Sequence, residues 1–498
     1  MPNVLDTVVV GAGITGLSCA WRLHSAGRSV LLLERGSRVG GVIHSERIPG
    51  VGVIDHGPQT LRSGDPALLA EFRELGIEED RCVAGAAGSH RYVFWQDRLV
   101  PLPHSPVAFL RSPILPTSAK LRLLLEPFAR PRRDQDESVE DFFRHRLGRH
   151  AVERLVDPFV SGVYAGDPRQ LSMRSVFPAL KEGVDRKGSL LRWAVSRARA
   201  AGRARRERGT PRSRPQLFSF KEGLGQWPRA LEAALGPDRV RTGVDLKAVR
   251  RAEGHWALTG DLGGSQEEIR ARVLVLAIPA PGAAALLGGG FPADSRPLMD
   301  IPYAPVSTVH LAWRREDVGH PLDGFGYLCP SSQDRPVLGT LWISSLFPQR
   351  VEEGVVLTTS FVGGARVPEQ ATRPPQELVG LAVGEHRRTL GARGEPLEAR
   401  VVTYPRGIPQ YEFGHEQRVE AAARMEASAP DLYLTGSWRG GVSVPDCWAG
   451  GRATADRVLS EWGRSSSLEV GRTEGSPPRP YRERGRPGSP TGPAEGGT

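Results

Sequence analysis

The sequence predicts an α/β protein opened by a βαβ unit, and three observations predict it. Val8–Val10 is a buried-strand run, Gly16–Ala26 reads as a helix, and Ser29–Leu33 as a second strand ending at Glu34. Near the far end, "YLTGSWRGGVSVPDCWAGG" (Tyr433 to Gly451) repeats that layout: a short apolar strand, a glycine-rich turn, and a small-residue helix through Ala453 to Leu459. Between the two, Val306 to Phe361 is dominated by strand-like runs, "VSTVHLAW", "VLGTLWISS" and "VVLTTSFVGG".

The opening unit carries chemistry. Gly11, Gly13 and Gly16 form G-x-G-x-x-G, with Ala12, Ile14 and Thr15 between them, where the strand turns into the helix. Gly11 allows the tight turn, Gly13 lets backbone approach a pyrophosphate, and Gly16 allows close helix–strand packing. The helix N-terminus then offers unpaired N–H groups and the positive end of its dipole to phosphates. Glu34, eighteen residues after Gly16, is placed to accept hydrogen bonds from a ribose hydroxyl, and its charge disfavours a 2′-phosphate. The bland alternative is a glycine turn without a ligand.

The middle of the chain is less regular. Leu99–Arg133 alternates prolines, apolar clusters and basic residues. Glu137–Phe143 and His150–Phe159 read as helices, the first capped by Asp136. Arg192–Pro215 reads as a polar, mobile connection. Val240–Val249 and Val273–Ile278 return to strand character, and "VLVLAIP" is a fully buried strand candidate. After Gly463 the composition turns to Gly, Pro, Ser and Arg, a disordered tail.

Bulk properties exclude several classes. A chain of 498 residues with 39% hydrophobic and 7% aromatic content has length for two or three globular domains. Runs of eighteen apolar residues are absent, so no membrane span is predicted. "MPNVLDT" lacks the basic-then-apolar pattern of a secretory signal. Cys19, Cys82, Cys329 and Cys447 are scattered without a C-x-x-C pair, which favours a reducing compartment; no His/Cys cluster has metal-ligand spacing, so no metal is expected. Nine arginines against one glutamate between Arg192 and Arg214 nearly account for the net charge of +10. That patch is a solvated loop or a contact for anionic lipid headgroups; nucleic acid ranks last, since no recognised binding module accompanies it.

Further motifs carry a family resemblance. "ERGSRVGG" (Glu34 to Gly41) places Arg35, Arg38, Gly40 and Gly41, with Val42, just after the acid, and "DHGPQT" contains Gly57, Pro58, Gln59 and Thr60. Both segments resemble those of the FAD-containing amine oxidase and porphyrinogen oxidase superfamily. "LEPFARPRRDQDESVEDFFRHRLGRHAVERLVDPFVSGVYAGDPRQLSMRSVFPAL" resembles the helical insertion of protoporphyrinogen oxidases; "FKEGLGQWPRAL", "GFGYLCPSSQ", "TTSFVGG" and "GIPQYEFGH" are similar to further family segments. The similarity runs from about Val8 to Leu459.

The resemblance implies an α/β fold with a FAD-binding Rossmann-like domain, an α+β substrate domain on a mixed sheet and a helical, membrane-associating insertion. In that scheme residues 1–60, 215–288 and 405–462 bind FAD, 61–90 and 289–404 bind substrate, 91–214 form the helical part, and 463–498 the tail. The C-terminal segment would fold back so that Ser437, Val442, Ser443 and Val444 line the flavin, and both ends of the chain hold one FAD. Leu246 falls where the family usually has an adenine-contacting valine. Cys447 is either a covalent flavin anchor or a packing residue inside the following helix.

By the same resemblance the activity is oxygen-dependent oxidation of protoporphyrinogen IX to protoporphyrin IX, six electrons in three hydride transfers, with hydrogen peroxide formed. Arg91 would bind a propionate, a task suited to a forked, permanently charged guanidinium; otherwise it is a surface strand arginine. Gly162 would let the macrocycle edge pass close to backbone, or is a simple turn glycine. Phe325, Leu328, Leu341 and Phe361 would sandwich the ring, or are core. No catalytic acid or base is assigned. An amine-oxidase reading needs a lysine near the flavin, yet the last lysine is Lys247. Coproporphyrinogen III oxidation and a non-catalytic FAD-retaining scaffold stay open. Leu99–Arg133 suits a monotopic membrane surface or a cover over the substrate tunnel. A homodimer fits the family, and the expected location is cytoplasmic, peripheral on the inner face of the cell membrane.

Overall fold

A computed structural model describes residues 4–103, 105–129, 136–207, 216–262 and 265–473. The valine-rich run Leu5–Val10 is the second strand of a parallel layer. It pairs with Val30–Leu33 on one side (Val8↔Leu31) and with Gln266–Leu276 on the other (Val8↔Leu274); Val240–Arg241 extends the layer beyond Val30–Leu33. Both faces of such a layer are covered, so its strands are continuous apolar runs and not alternating ones. Val8, Val9, Leu32, Leu274, Val275 and Leu276 are at most 1% exposed.

The 11-residue strand Gln266–Leu276 divides one of its edges between two partners. Its first half pairs antiparallel with His255–Leu262, which pairs in turn with Val244–Ala252. Its last three residues pair in parallel with Leu432–Leu434. One strand therefore separates the first strand of the chain from the last. Of Val273–Ile278, expected as the strand, Val273 to Leu276 form only its buried C-terminal end, and Ala277 and Ile278 lie beyond it.

A second, mixed sheet runs in the order Glu398–Pro409, Tyr303–Arg314, Val355–Gly363, Gly339–Trp342, Gly326–Leu328, Tyr92–Trp95, Arg98–Pro101. All neighbours are antiparallel except Gly326–Leu328 with Tyr92–Trp95. One face is sealed by the helix Pro375–Leu390, whose Leu378, Ala382 and Leu390 pack on Val309, Leu311 and Trp313. Because strand side chains alternate between faces, the other face is free to build something else.

The helical insertion follows Arg98–Pro101 with Pro106–Arg111 and Thr117–Leu124, then Val139–Leu147. Arg149 to Tyr164 is helical throughout, with a π turn at Val152–Val156. Three corrections arise here. Ser138, and not Asp136, caps Val139–Leu147: its Oγ accepts the Asp141 N–H at 2.9 Å, while Asp136 accepts from Ser172 Oγ. Arg192–Pro215 is not a connection over its first part, since Leu190–Glu207 is a helix; residues 208–215 lie outside the described residues. Alanine and arginine are strong helix formers, and the buried Glu126 completes the start, accepting Leu190 N (2.7 Å), Leu191 N (3.1 Å) and Ser189 Oγ (2.5 Å). Burial raises the Glu126 pKa, but these donors and Arg146 outweigh it and hold the carboxyl below its ordinary range. Finally, the last helix, Val444–Thr473, continues into the segment read as tail; residues 474–498 lie outside the described residues. Met1–Asp456 forms one compact unit and Arg457–Thr498 a second. Among the described residues no helix is long and apolar enough to cross a membrane.

Candidate active site

The first strand ends at a turn with no spare volume. Gly11 sits at φ +99°, and a Cβ there would lie 2.5 Å from the Ala277 carbonyl oxygen. A Cβ on Gly16 would lie 1.8 Å from the Gly11 oxygen. Gly13 is the opposite case: an added Cβ meets nothing within 4 Å. It is the N-cap of the opening helix Ile14–Ser25, and no side chain caps that end. The first-turn N–H groups therefore face an open concavity, an arrangement suited to an anion.

Glu34 does more than its position suggested. Its Oε2 accepts the Ala12 N–H at 2.8 Å and its Oε1 accepts the Gly36 N–H at 2.7 Å, so the carboxylate holds the glycine turn in shape. Each oxygen keeps a lone pair for a further donor. Gly40 N donates to Ala12 O at 2.7 Å, Gly13 and Gly40 form a bridge, and Gly41 packs on Gly13 Cα. The second glycine pair thus closes directly on the first turn. Arg38 donates to the Val39 and Gly41 carbonyls (3.1 and 2.9 Å), and Arg35 is exposed. Val42 is exposed, and its carbonyl would lie 2.2 Å from a Cβ on Gly57. Pro58 and Thr60 flank Gln59, whose side chain is spent inward on the Asp55 and Gly57 carbonyls and on Thr359 Oγ1. Leu246 lies at the bulge of Val244–Ala252, two residues beyond Val244, whose N–H donates to Glu34 O at 2.9 Å.

The C-terminal turn comes to the same edge. Thr435 N donates to Leu276 O at 3.0 Å, and Trp438 Nε1 donates to Ile278 O at 3.1 Å. The Ser437 carbonyl accepts from the Tyr411 phenol hydroxyl, which also accepts the Gly441 N–H at 3.1 Å. Val442 packs on the helical cluster around Phe142 and Tyr411. Ser443 caps the last helix at Val444: its Oγ accepts Asp446 N at 3.2 Å. That helix packs along the opening helix. Gly451 would meet Thr15 O at 2.1 Å if it carried a Cβ, Ser18 Oγ donates to Trp448 O at 3.0 Å, and Arg22 pairs with Asp456 at 2.8 Å. From the Ser18–Trp448 contact to the Arg22–Asp456 pair both helices advance, so the two run side by side in one direction. Burial pushes the Cys447 thiol up to about 11, which suits a packing residue better than a nucleophile.

The free face of the second sheet brings the expected substrate residues together. Leu328 pairs with Gly339, Gly339 with Phe361, and Phe361 with Thr308, a single cross-strand row. Leu341 stands two residues along, opposite Gly326 and Thr359. Cross-strand partners share a face, so Leu328, Leu341 and Phe361 line one surface with the side-chain-free Gly339 among them. All three are partly buried. Gly162 stands over this surface: a Cβ would lie 2.5 Å from Leu328 Cδ2. The same face receives the Asp55–Thr60 segment, because Thr308 Oγ1 donates to His56 O at 2.8 Å and Thr359 Oγ1 to Gln59 Oε1 at 3.3 Å. Phe325 lies at the next position toward the edge, with the half-buried Arg91 guanidinium 4.8 Å above its ring.

Three histidines escaped the sequence reading. His44 Nδ1 and His56 Nδ1 lie 3.0 Å apart and His56 Nε2 lies 3.1 Å from Glu46, beside Gly57. His310 is fully buried between Thr308 and Thr359; burial, then the charge of His56, lowers its pKa to about 3. It is a neutral hydrogen-bonding group at all physiological pH. The only signal was their place beside the two glycine segments and inside a strand. Lys247 lies on the outer strand of the first sheet, paired with Asp245.

Two glycine turns facing one edge, the first without a side-chain cap, an acid at the end of the second strand and an adjacent apolar sheet face define a dinucleotide-dependent oxidoreductase site. The chain belongs to the family of flavin-containing amine oxidoreductases, whose model matches residues 14–459. It is similar to protoporphyrinogen oxidase 2 of Arabidopsis thaliana, 31% identical over 475 residues that cover 91% of this chain and 93% of that protein. It is also similar to coproporphyrinogen III oxidase of Staphylococcus aureus, 29% identical over 476 residues, 92% and 99% of the two chains. In fold it is similar to a crystal structure of reduced UDP-galactopyranose mutase, with a TM-score of 0.69 at 18% identity over 92% and 96% of the two chains. The cofactor is accordingly FAD, and the residues present fit it: the Gly13 concavity and the lone pairs of Glu34 match a pyrophosphate and a ribose.

Proposed function

We propose that this protein oxidises a porphyrinogen, protoporphyrinogen IX, to the corresponding porphyrin, with O2 as final acceptor. The observation that carries this reading is the half-buried apolar face of Leu328, Leu341 and Phe361 under Gly162, with Arg91 at its margin. A large apolar macrocycle with carboxylate side chains needs a broad dry surface and few polar anchors. The relatives' names, protoporphyrinogen oxidase and coproporphyrinogen III oxidase, support the class. The latter also keeps coproporphyrinogen III as a second candidate substrate.

In this reading Gly11 to Gly16, Glu34, Arg38 to Val42, Gly57 to Thr60, Leu246 and Ser437 to Val444 hold FAD, which supplies the acceptor for a hydride equivalent and passes its electrons to O2. Three such rounds remove six electrons and six hydrogens and form three molecules of H2O2. The chain's part is to orient the ring and exclude water: Gly162 admits the edge, Phe325 and the sheet face cover it, and Arg91 anchors a propionate. The absence of a lysine beyond Lys247 argues against amine oxidation. Anaerobic addition of protoporphyrinogen IX to purified protein is expected to bleach the flavin band and yield porphyrin fluorescence. A flavin that no porphyrinogen reduces overturns the proposal and leaves the scaffold reading; a preference for coproporphyrinogen III in a competition assay moves it to that substrate.

Membrane attachment belongs to the same proposal, with the protein peripheral on the cytoplasmic face. Leu110, Leu121, Leu124, Leu125 and Phe128 are exposed large apolar side chains, from 58% to 78% exposed, within one stretch that also carries Arg111 and Arg122. Apolar side chains beside cations suit shallow insertion in an anionic leaflet. The protein is expected to sediment with phosphatidylglycerol vesicles, and Leu124→Glu with Phe128→Glu to abolish this. Full solubility of the parent beside such vesicles at low salt would end the membrane reading.

A further inference from the structure

The half-buried guanidinium of Arg91 meets no carboxylate among the described residues, and neither does the nearby, exposed Arg62. The surroundings make this unusual. Around the same three-stranded sheet (Leu61–Ser63, Gln216–Phe220, Arg81–Val83) Arg81 pairs with Glu78, Lys221 with Asp80 and Arg350 with Asp55. Among the described residues, two cations stand without a carboxylate partner where Arg81, Lys221 and Arg350 each have one.

The register brings Arg62 to Arg91. Arg62 pairs with Leu217 across the strands, whereas Leu61 and Phe218, the preceding pair, point into the core. Cross-strand partners share a face, so the Arg62 side chain leaves the sheet on the side of Leu217. Leu217 packs in one cluster with Phe325, and the Arg91 guanidinium lies over the Phe325 ring at 4.8 Å. Leu217 and Phe325 thus belong to one apolar patch, with the Arg91 guanidinium over its Phe325 end and the exposed Arg62 leaving the sheet on its Leu217 side. Burial first, and the charge of Arg62 second, lower the Arg91 pKa, which accords with mutual repulsion across that patch. Like charges placed side by side cost stability unless an anion joins them. Arg62 also stands two residues after Thr60, at the end of the segment that lies on the substrate face.

We propose that Arg62 is a second carboxylate anchor, so that Arg62 and Arg91 together take the two neighbouring propionates on one edge of a porphyrinogen. This rests on the porphyrinogen reading and deepens it: a pair of open cations selects a substrate with two acidic groups on adjacent pyrroles, oriented by that edge. Arg62 is a specificity residue and does not act on the reacting atoms. It differs from a surface arginine in one measurable respect, its dependence on the carboxylates of the ligand.

The test uses the full-length FAD-loaded protein, with protoporphyrin IX and its dimethyl ester as binding probes, followed by porphyrin fluorescence. Arg62→Met is expected to weaken binding of the diacid by about tenfold or more, the scale of one charge-assisted hydrogen bond, and to leave the ester unchanged. Arg62→Lys should recover part of the diacid affinity. With protoporphyrinogen IX, Arg62→Met should raise KM with little change in kcat and with unchanged flavin content. Equal weakening of diacid and ester, or no weakening of either, overturns the assignment. Failure of the parent protein to oxidise any porphyrinogen would instead count against the enzymatic reading, while the diacid-to-ester ratio would still judge Arg62.

Discussion

Gly13→Ala is expected to give a protein that folds and melts like the parent but no longer retains its flavin, whereas Gly16→Ala is expected to lose both flavin and stability. The two glycines belong to one motif, and their environments are opposite. A Cβ on Gly13 meets nothing of the protein within 4 Å, so the methyl group enters only the concavity in front of the helix N-terminus. Its φ of −68° is one that alanine adopts freely. The volume it occupies is what a pyrophosphate needs for approach to the backbone. A Cβ on Gly16 instead lands 1.8 Å from the Gly11 oxygen and 3.3 Å from Ala277 Cβ. Both atoms are held by the parallel sheet, so the helix must lift away, at a cost of about 1–3 kcal/mol or more for overpacking. Flavin absorbance per polypeptide and thermal melting of the apoprotein separate the cases. A Gly13→Ala protein that keeps one flavin per chain through gel filtration would remove the pyrophosphate from that concavity.

Asp55→Ala carries the largest expected stability loss. Asp55 and Arg350 are each about 1% exposed in their side chains and pair at 2.7 Å. The carboxylate also accepts Leu224 N at 2.8 Å and the Ser45 hydroxyl, while Arg350 donates to Ser219 Oγ and Val53 O. Four segments therefore converge on one buried ion pair, immediately before the Gly57 turn. Removal of one partner strands the other charge without water, and such losses run to about 3–5 kcal/mol. Chemical denaturation followed by tryptophan fluorescence should show a clearly lower midpoint. Asp55→Ala combined with Arg350→Met should recover part of it, since no buried charge is then left alone. A midpoint for Asp55→Ala equal to that of the parent would show that the cluster contributes no net stability.

The glycine motif, the acid after the second strand and the repeat of the layout at Tyr433 were legible because they depend on local geometry. A tight turn needs glycine, a buried parallel strand needs an unbroken apolar run, and a helix needs its start. The row Leu328–Gly339–Phe361 was legible only through resemblance, because register between three strands is set by pairing across the chain. His310 and Arg62 were missed for a related reason: one is buried by strands far away in sequence, and the other stands out only through its pairing with Leu217 and its nearness to Arg91. The arginine-rich helix was misread because the carboxylate that completes its start, Glu126, stands 64 residues earlier than Leu190.

By itself, then, the amino-acid order determined which short stretches become strand, glycine turn and helix, since those preferences act over a few neighbouring residues. Tertiary structure alone decided that the first and last of these strands lie one strand apart, that an apolar sheet face meets them, and that Arg62 and Arg91 come near each other. Such proximities are set by burial and strand register over hundreds of residues, which no local pattern encodes.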